Sequence, residues 1–132
     1  MLRYMLDAGF CAHVLRRHPA ALRDRFNAVA EQLCVSALTL ADLHHAAERS
    51  ARGTANVLAV EHFAARLDIL PFGAKAAAHY GTLRAELERA EFEAKPRDIL
   101  AAAHARSEGL VLVTTDPAAY VGMTGVMVEA WS

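Results

Sequence analysis

Short apolar runs alternate along this chain with longer stretches in which apolar residues recur every three or four positions. Short runs are typical of strands, and the longer spacing is typical of amphipathic helices. The runs predict strands at 2–6, 33–35, 69–70, 110–113 and 126–128, and the longer stretches predict helices over 10–17, 20–30, 39–50, 55–67, 73–91 and 96–107. Strands separated by helices predict an α/β fold in which a short, mostly parallel central sheet carries helices on both faces.

Residues that commonly begin or end helices stand at several of these predicted boundaries. Thr39 and Asp42 are spaced like a capping box, in which side chains satisfy the free N–H groups of a first helical turn. Pro96 suits the first position of a helix, and Gly109 suits the position just after one. The sequence therefore predicts helix starts near Thr39 and Pro96 and a helix end before Gly109.

Length and composition narrow the class of protein. A chain of 132 residues fits one domain, so we expect residues 1–132 to fold as a single unit. The net charge of −1 excludes a polybasic nucleic-acid binder, although a local basic rim or a metal would still allow RNA chemistry. No apolar run approaches the ~18 residues of a membrane span, and no signal peptide is recognisable. Cys11 and Cys34 form no CxxC motif and are typical of core residues in a reducing cytoplasm.

Four aspartates stand at or near the predicted ends of strands and starts of helices. Asp7 and Asp116 follow strands directly, and Asp42 follows strand 33–35 after one short turn. Ligands of open α/β sheets bind at the carboxyl edge of the strands, where these acids are expected to meet. Asp98 opens a helix that precedes a strand, and we expect it at the opposite edge unless the loop 92–95 brings it over.

Each aspartate also has a purely structural explanation. Asp7 and Asp116 suit helix caps, Asp42 suits the capping box, and Asp98 complements a helix dipole. Taken together, however, clustered carboxylates repel by ~4 kcal/mol per close pair at an effective dielectric of 20. A divalent cation would neutralise them, and oxygen-only ligands favour Mg²⁺ or Mn²⁺. Such ions support the hydrolysis of phosphodiesters, which predicts nuclease chemistry.

The chain resembles a known family, the PIN-domain proteins, and within them the VapC-type toxins of bacterial VapBC toxin–antitoxin pairs. The resemblance extends over nearly the whole chain. It is carried by MLRYMLD (1–7), SALTLAD (36–42), AAE (46–48), AAHYGTLRAEL (77–87), PRD (96–98), AHARSEG (103–109) and LVTTD (112–116). It implies a three-layer α/β/α domain, a homodimer, and a Mg²⁺- or Mn²⁺-dependent endoribonuclease acting on RNA such as tRNA. It also implies a cognate VapB-type antitoxin that enters the acidic cleft.

The resemblance assigns roles to the four aspartates. Asp7 and Asp98 match the metal-binding aspartates of the family. Asp42 occupies the place of the usual glutamate, and its shorter side chain loses ~1.5 Å of reach, so it is expected to assist through water. Asp116 matches a variable fourth position and is expected to orient the attacking water or a second ion.

Three departures from the family pattern set this chain apart. Where the family usually has Asp-Thr/Ser-Asn, this chain has Asp7-Ala8-Gly9, so a hydroxyl side chain and an amide side chain are missing. The loop before Asp98, which is commonly small and aromatic, carries Lys95 and Arg97. The third departure is His44-His45-Ala46, where the family commonly has Gly or Tyr.

These departures leave alternatives open. One is a catalytically impaired PIN domain that still dimerises and binds an antitoxin. Another is a receiver-like domain with a phosphorylated aspartate, which is disfavoured because no lysine follows the last strands. Zinc at His44-His45 is disfavoured because adjacent helical residues face different directions. Lys95 and Arg97 either contact the RNA backbone or belong to a solvated loop.

Overall fold

A five-stranded sheet forms the centre of the computed structural model, which describes residues 1–17 and 19–131. All strand pairings are parallel, and the spatial order is β3-β2-β1-β4-β5. The strands are β1 Tyr4–Leu6, β2 Leu33–Ser36, β3 Asp68–Leu70, β4 Val111–Thr114 and β5 Val128–Ala130. The helices are α1 Ala8–Arg17, α2 Ala20–Ala28, α3 Ala37–Glu48, α4 Gly53–Ala64, α5 Ala74–Arg89 and α6 Pro96–Glu108, with 3₁₀ turns at Ala30–Gln32 and Pro117–Tyr120.

Two apolar cores lie on opposite faces of the sheet, which confirms the predicted α/β/α layers. Successive strand residues point to opposite faces, so Leu6 packs with α1, α3 and α4, whereas Met5 packs with α5 and α6. In β4, Leu112 and Val113 are both fully buried and belong to different cores. A strand covered on both faces explains why the sequence of β4 shows no polar alternation.

The predicted capping box at Thr39 is wrong. Helix α3 begins at Ala37, directly after β2, and the hydroxyl of Ser36 accepts a hydrogen bond from the Leu38 N–H at 3.1 Å. Because the strand ends on a residue that itself caps the helix, no further turn is needed. Asp42 consequently lies inside α3, away from the end of the helix, and has no capping role.

Several other boundaries also differ from the predicted ones. The last strand is Val128–Ala130 rather than 126–128, since Leu112 pairs with Val128. The second helix ends at Ala28 and is followed by a 3₁₀ turn, and the turn after Asp116 remains a short 3₁₀ turn. The predicted ends of α6 are confirmed, with Pro96 as its first residue and Gly109 in the left-handed conformation at φ +68°.

Both cysteines are free and buried, as expected for core residues. Burial raises the pKa of the Cys34 thiol to about 12 and also raises that of Cys11. At neutral pH both thiols therefore remain protonated. Within residues 1–17 and 19–131, no helix combines the length and apolarity needed to cross a membrane.

His104 is buried in the core formed by α6, and its burial predicts a pH dependence of stability. Its ring meets the ring of Phe72 edge-on at 5.3 Å between centroids, and burial lowers its pKa despite the opposing charge of Glu108. Between its lower pKa in the folded state and ~6.5 in the unfolded chain, His104 is neutral when folded and protonated when unfolded. The free energy of unfolding therefore falls as the pH drops from ~6.5 through the folded-state pKa. The melting temperature of the wild type should fall between neutral and mildly acidic pH. In His104→Gln this fall should be smaller by a few degrees.

The matched control for this prediction is His45→Gln, because His45 is exposed on α3. Thermal unfolding of both variants and the wild type, followed by circular dichroism across the pH range, separates the two histidines. The control should lose as much stability in acid as the wild type does. An unchanged acid response in His104→Gln would show that the buried imidazole does not contribute to it.

Candidate functional site

The strand order creates a crevice between β1 and β4. Chain connections leave these two neighbouring strands toward opposite sides of the sheet, and such switch points are where open α/β sheets bind ligands. Asp7 follows β1 directly, and Asp116 lies two residues beyond the end of β4. The two strand ends are joined by the Asp7 N–H, which donates to the carbonyl of Val113 at 3.0 Å.

Asp7 is buried at this crevice and is held by hydrogen bonds at both carboxylate oxygens. Oδ1 accepts from the backbone N–H of Phe10 at 2.7 Å, so the predicted capping of α1 is confirmed. Oδ2 accepts from the hydroxyl of Tyr120, also at 2.7 Å. Each oxygen retains a lone pair, and Asp7 therefore still has acceptor capacity for a ligand.

Asp98 lies in the first turn of α6, close enough to two other aspartates to affect its ionisation. Burial is the main cause that raises its pKa, and the charges of Asp7 and Asp116 raise it further, whereas Arg97 and Lys95 lower it. The Arg97 Nε lies 4.0 Å from the Asp98 Oδ1. The first turn of α6 thus lies near enough to Asp7 and Asp116 for their negative charges to act on the Asp98 carboxylate.

The expectation that Asp98 needs its preceding loop to reach the carboxyl edge is wrong. A crossover helix between parallel strands runs antiparallel to them and therefore begins at their carboxyl edge. Helix α6 leads into β4 in this way, so its first turn lies at that edge without any special loop path.

Asp116 does not act as the predicted side-chain cap. Its carboxylate makes no capping hydrogen bond to the turn Pro117–Tyr120, whereas its backbone N–H donates to the Thr114 hydroxyl at 3.0 Å. The residue is exposed at the rim of the crevice. Its carboxylate is consequently not occupied by the turn that follows.

Asp42, on α3, lines a cavity that none of the other three aspartates lines. It is half-buried and lines this cavity of about 270 Å³ together with Arg97 and Ser36. Among the residues that the structure describes, its carboxylate has no hydrogen-bond partner, and no three acids, histidines or cysteines gather closely enough to hold one metal ion. Arg97 is shared between Asp98 and Asp42, since it forms an ion pair with Asp98 and lines the cavity that Asp42 lines.

Tyr120 belongs to the site although no sequence pattern indicated it. Burial, and then the charge and hydrogen bond of Asp7, raise the pKa of its hydroxyl above the ordinary range of tyrosine, so it remains a proton donor. Tyrosine at the end of the 3₁₀ turn Pro117–Tyr120 has the appearance of a core residue, and it lies 113 positions from its partner. A tertiary contact of this kind has no local signal.

Comparison with protein families matches residues 4–120 to the PIN domain. The chain is 39% identical over 132 residues to a tRNA(fMet)-specific endonuclease VapC of Shigella flexneri, with 100% of both chains covered. It is 40% identical over 131 residues to ribonuclease VapC2 of Haemophilus influenzae, with 99% of both covered. The similarity in sequence therefore includes all the segments that carry the aspartates.

Solved structures show the same similarity in three dimensions. The structure of DNA-bound VapBC from Salmonella typhimurium contains a chain that matches with a TM-score of 0.98 and 37% identity, covering 100% of both chains. VapBC2 from Rickettsia felis, bound to a DNA fragment from its promoter, matches with a TM-score of 0.95 and 28% identity, covering 99% of this chain and 100% of that one. Sheet, helices and acid-bearing loops are thus all included in the match.

Proposed function

Because the chain belongs to the PIN-domain family and, within it, to the VapC ribonucleases of VapBC toxin–antitoxin pairs, we propose that it is a metal-dependent endoribonuclease toxin. It hydrolyses phosphodiester bonds in RNA and so arrests growth. The observation that carries the proposal is the position of three aspartates at the switch point of the sheet, since Asp7 and Asp116 follow the neighbouring strands β1 and β4, and Asp98 lies in the first turn of α6 at the same edge. The proposed substrate is the initiator tRNA, on which the Shigella flexneri relative acts by its name.

The residues at this site fit Mg²⁺ or Mn²⁺. All the donors are carboxylate oxygens, and the mutual repulsion of Asp7 and Asp98 is what a divalent cation would relieve. Magnesium is commonly bound by only one or two protein carboxylates together with waters and substrate phosphates, so a cluster of three acids is not required. Asp7 and Asp98 are the residues that would hold the ion.

The remaining polar residues of the site have supporting roles in this proposal. When bound, the metal would supply an activated water and stabilise charge on the phosphate. Asp116, exposed at the rim with a free carboxylate, orients the water, and Asp42 assists from α3. Arg97 and Lys95 are exposed beside Asp98, where they bind the phosphates of the RNA backbone.

We further propose that residues 1–132 form a single PIN domain that works as a cytoplasmic homodimer with a VapB-type antitoxin as its partner. The sheet takes strands from Tyr4 to Ala130, which supports one domain. The antitoxin is supported by the matched VapBC complexes, and the dimer by exposed apolar side chains such as Val121 and Leu58. The proposed RNA substrate and the two free cysteines support a cytoplasmic location of the protein.

Metal removal tests the activity directly. The purified protein should cleave initiator tRNA when Mg²⁺ or Mn²⁺ is present and should lose all cleavage in EDTA, because the two carboxylates alone cannot activate water. Cleavage is followed by gel electrophoresis of end-labelled tRNA, and adding excess Mn²⁺ after EDTA should restore it. If no RNA is cut with either ion, the enzymatic proposal is wrong.

The second candidate function is an impaired PIN domain that binds an antitoxin without cutting RNA. It is favoured by the placement of Asp42, which lines a cavity with Arg97 that none of the other three aspartates lines. Gly9→Asn combined with Asp42→Glu restores the family pattern and distinguishes the two functions. A wild type without activity that becomes active through these changes would establish the second function, whereas a wild type that cuts RNA excludes it. Gly81→Asn, on α5 where an added side chain meets open space, is the matched control.

A further inference from the structure

The carboxylate of Asp7 is held by donors from two distant parts of the chain. Its Oδ1 accepts from the Phe10 N–H in the same turn, whereas its Oδ2 accepts from the Tyr120 hydroxyl. Within the part of the chain that the structure describes, Tyr120 supplies the one side-chain donor to this carboxylate. Two donors on opposite oxygens fix the plane of the carboxylate and therefore the direction of its remaining lone pairs.

The turn that follows Asp7 supplies no side-chain donor of its own. Ala8 has a methyl side chain and Gly9 has none, so neither residue offers a donor beyond its backbone N–H. A Cβ added at Gly9 would lie 3.7 Å from the Asp7 Oδ1 and 3.9 Å from the Thr115 Oγ1, in ordinary contact with both. An asparagine at this position would therefore lie beside the carboxylate, and the chain lacks that local support.

Tyr120 is itself rigidly placed. Its side chain is only 3% exposed, and its carbonyl accepts from the Met123 N–H at 3.0 Å. The segment that follows is tied to two helices, because Arg106 of α6 donates to the Thr124 carbonyl at 2.8 Å and to the His79 Nδ1 of α5 at 2.9 Å. A hydroxyl on such a rigid support is suited to holding another side chain in one orientation.

We propose that Tyr120 is a positioning residue that orients the Asp7 carboxylate toward the divalent ion, in place of the donors that residues 8 and 9 do not supply. The inference rests on the proposed function, since it concerns the ion that Asp7 and Asp98 would hold. Hydrogen-bond partners of metal ligands typically contribute 10–100-fold to metal affinity. Tyr120→Phe keeps the ring and removes the hydroxyl alone, so the dissociation constant for Mn²⁺ should rise by ~10–100-fold.

Calorimetric titration of the metal-free protein with Mn²⁺ measures this effect without any dependence on RNA cleavage. The matched control is Tyr80→Phe, because the Tyr80 hydroxyl bonds to Arg84 on the exposed face of α5 and does not contact Asp7. The control should bind Mn²⁺ as tightly as the wild type. Thermal unfolding with and without Mn²⁺ adds a second readout, since a merely structural tyrosine would lower both melting temperatures equally, whereas a positioning residue reduces the rise that Mn²⁺ produces.

A second donor at the site provides the rescue. Gly9→Asn in the Tyr120→Phe background should restore most of the lost affinity, and this double variant carries the test if the single one is too unstable to titrate. Equal or tighter Mn²⁺ binding by Tyr120→Phe, or no recovery in the double variant, overturns the positioning role while the proposed function stands. If the wild type binds no Mn²⁺ at all, the proposed function and this inference are both overturned.

Discussion

Asp7→Asn is expected to abolish RNA cleavage and growth arrest while leaving the fold intact. Asparagine keeps a side-chain oxygen that can accept from the Phe10 N–H, so the start of α1 stays capped. It removes the negative charge on which divalent-metal binding depends. Loss of an outer partner of a metal ligand already costs 10–100-fold, so loss of the ligand should lower cleavage by more than ~100-fold. Gel assays on initiator tRNA, growth after induced expression and circular dichroism measure the three parts of this prediction.

The control for Asp7→Asn makes the same chemical change outside the crevice. Asp24 is exposed on α2, and Asp24→Asn should cut RNA and arrest growth like the wild type. The role of Asp7 as a metal ligand would be refuted if Asp7→Asn were well folded and retained wild-type cleavage. Reduced cleavage with unchanged Mn²⁺ affinity would also contradict it, because the carboxylate would then act on the substrate rather than on the metal.

The layered fold and the edge that carries the acids were predictable because both follow from local patterns. Apolar runs of strand length separated by helical spacing allow few arrangements other than a parallel sheet between helices. Acids placed directly after two of those runs, Asp7 and Asp116, then had to meet at one edge. The edge of Asp98 was predictable too, because a crossover helix begins at the carboxyl edge of the strands that it joins.

Two other features, the residue that caps α3 and the hydrogen bond of Tyr120 to Asp7, could not be predicted from local sequence patterns. Ser36 and Thr39 are both good cap residues, and which of them caps α3 depends on how tightly β2 joins that helix. Tyr120 reaches Asp7 only because β1 and β4 are neighbours in space, and the turn after β4 folds back over the crevice. The cap of α3 depends on which of two suitable residues lies nearest the strand end, whereas the Tyr120–Asp7 hydrogen bond depends on tertiary packing.

Phe10→Ala is expected to cause the largest loss of stability. Phe10 is fully buried, stacks on Phe26 at 6.0 Å between ring centroids and meets the Trp131 ring edge-on at 5.9 Å. Removing a buried phenyl ring typically costs ~3–5 kcal/mol, which is a large share of the ~5–15 kcal/mol that stabilises an ordinary domain. Urea unfolding followed by circular dichroism should therefore show a midpoint lowered by ~1 M or more, given a slope of ~1–3 kcal/mol per M.

Met127→Ala is the matched truncation, because Met127 is 50% exposed and its replacement should cost no more than ~0.5 kcal/mol. Phe10 touches the site through its backbone, since its N–H holds the Asp7 Oδ1, and alanine retains that N–H. The folded fraction of Phe10→Ala should therefore bind Mn²⁺ nearly as tightly as the wild type, although fewer molecules are folded. A variant with normal stability, or one that stays folded but cannot bind Mn²⁺, would contradict this separation between the ring as core and the backbone as support for the acid.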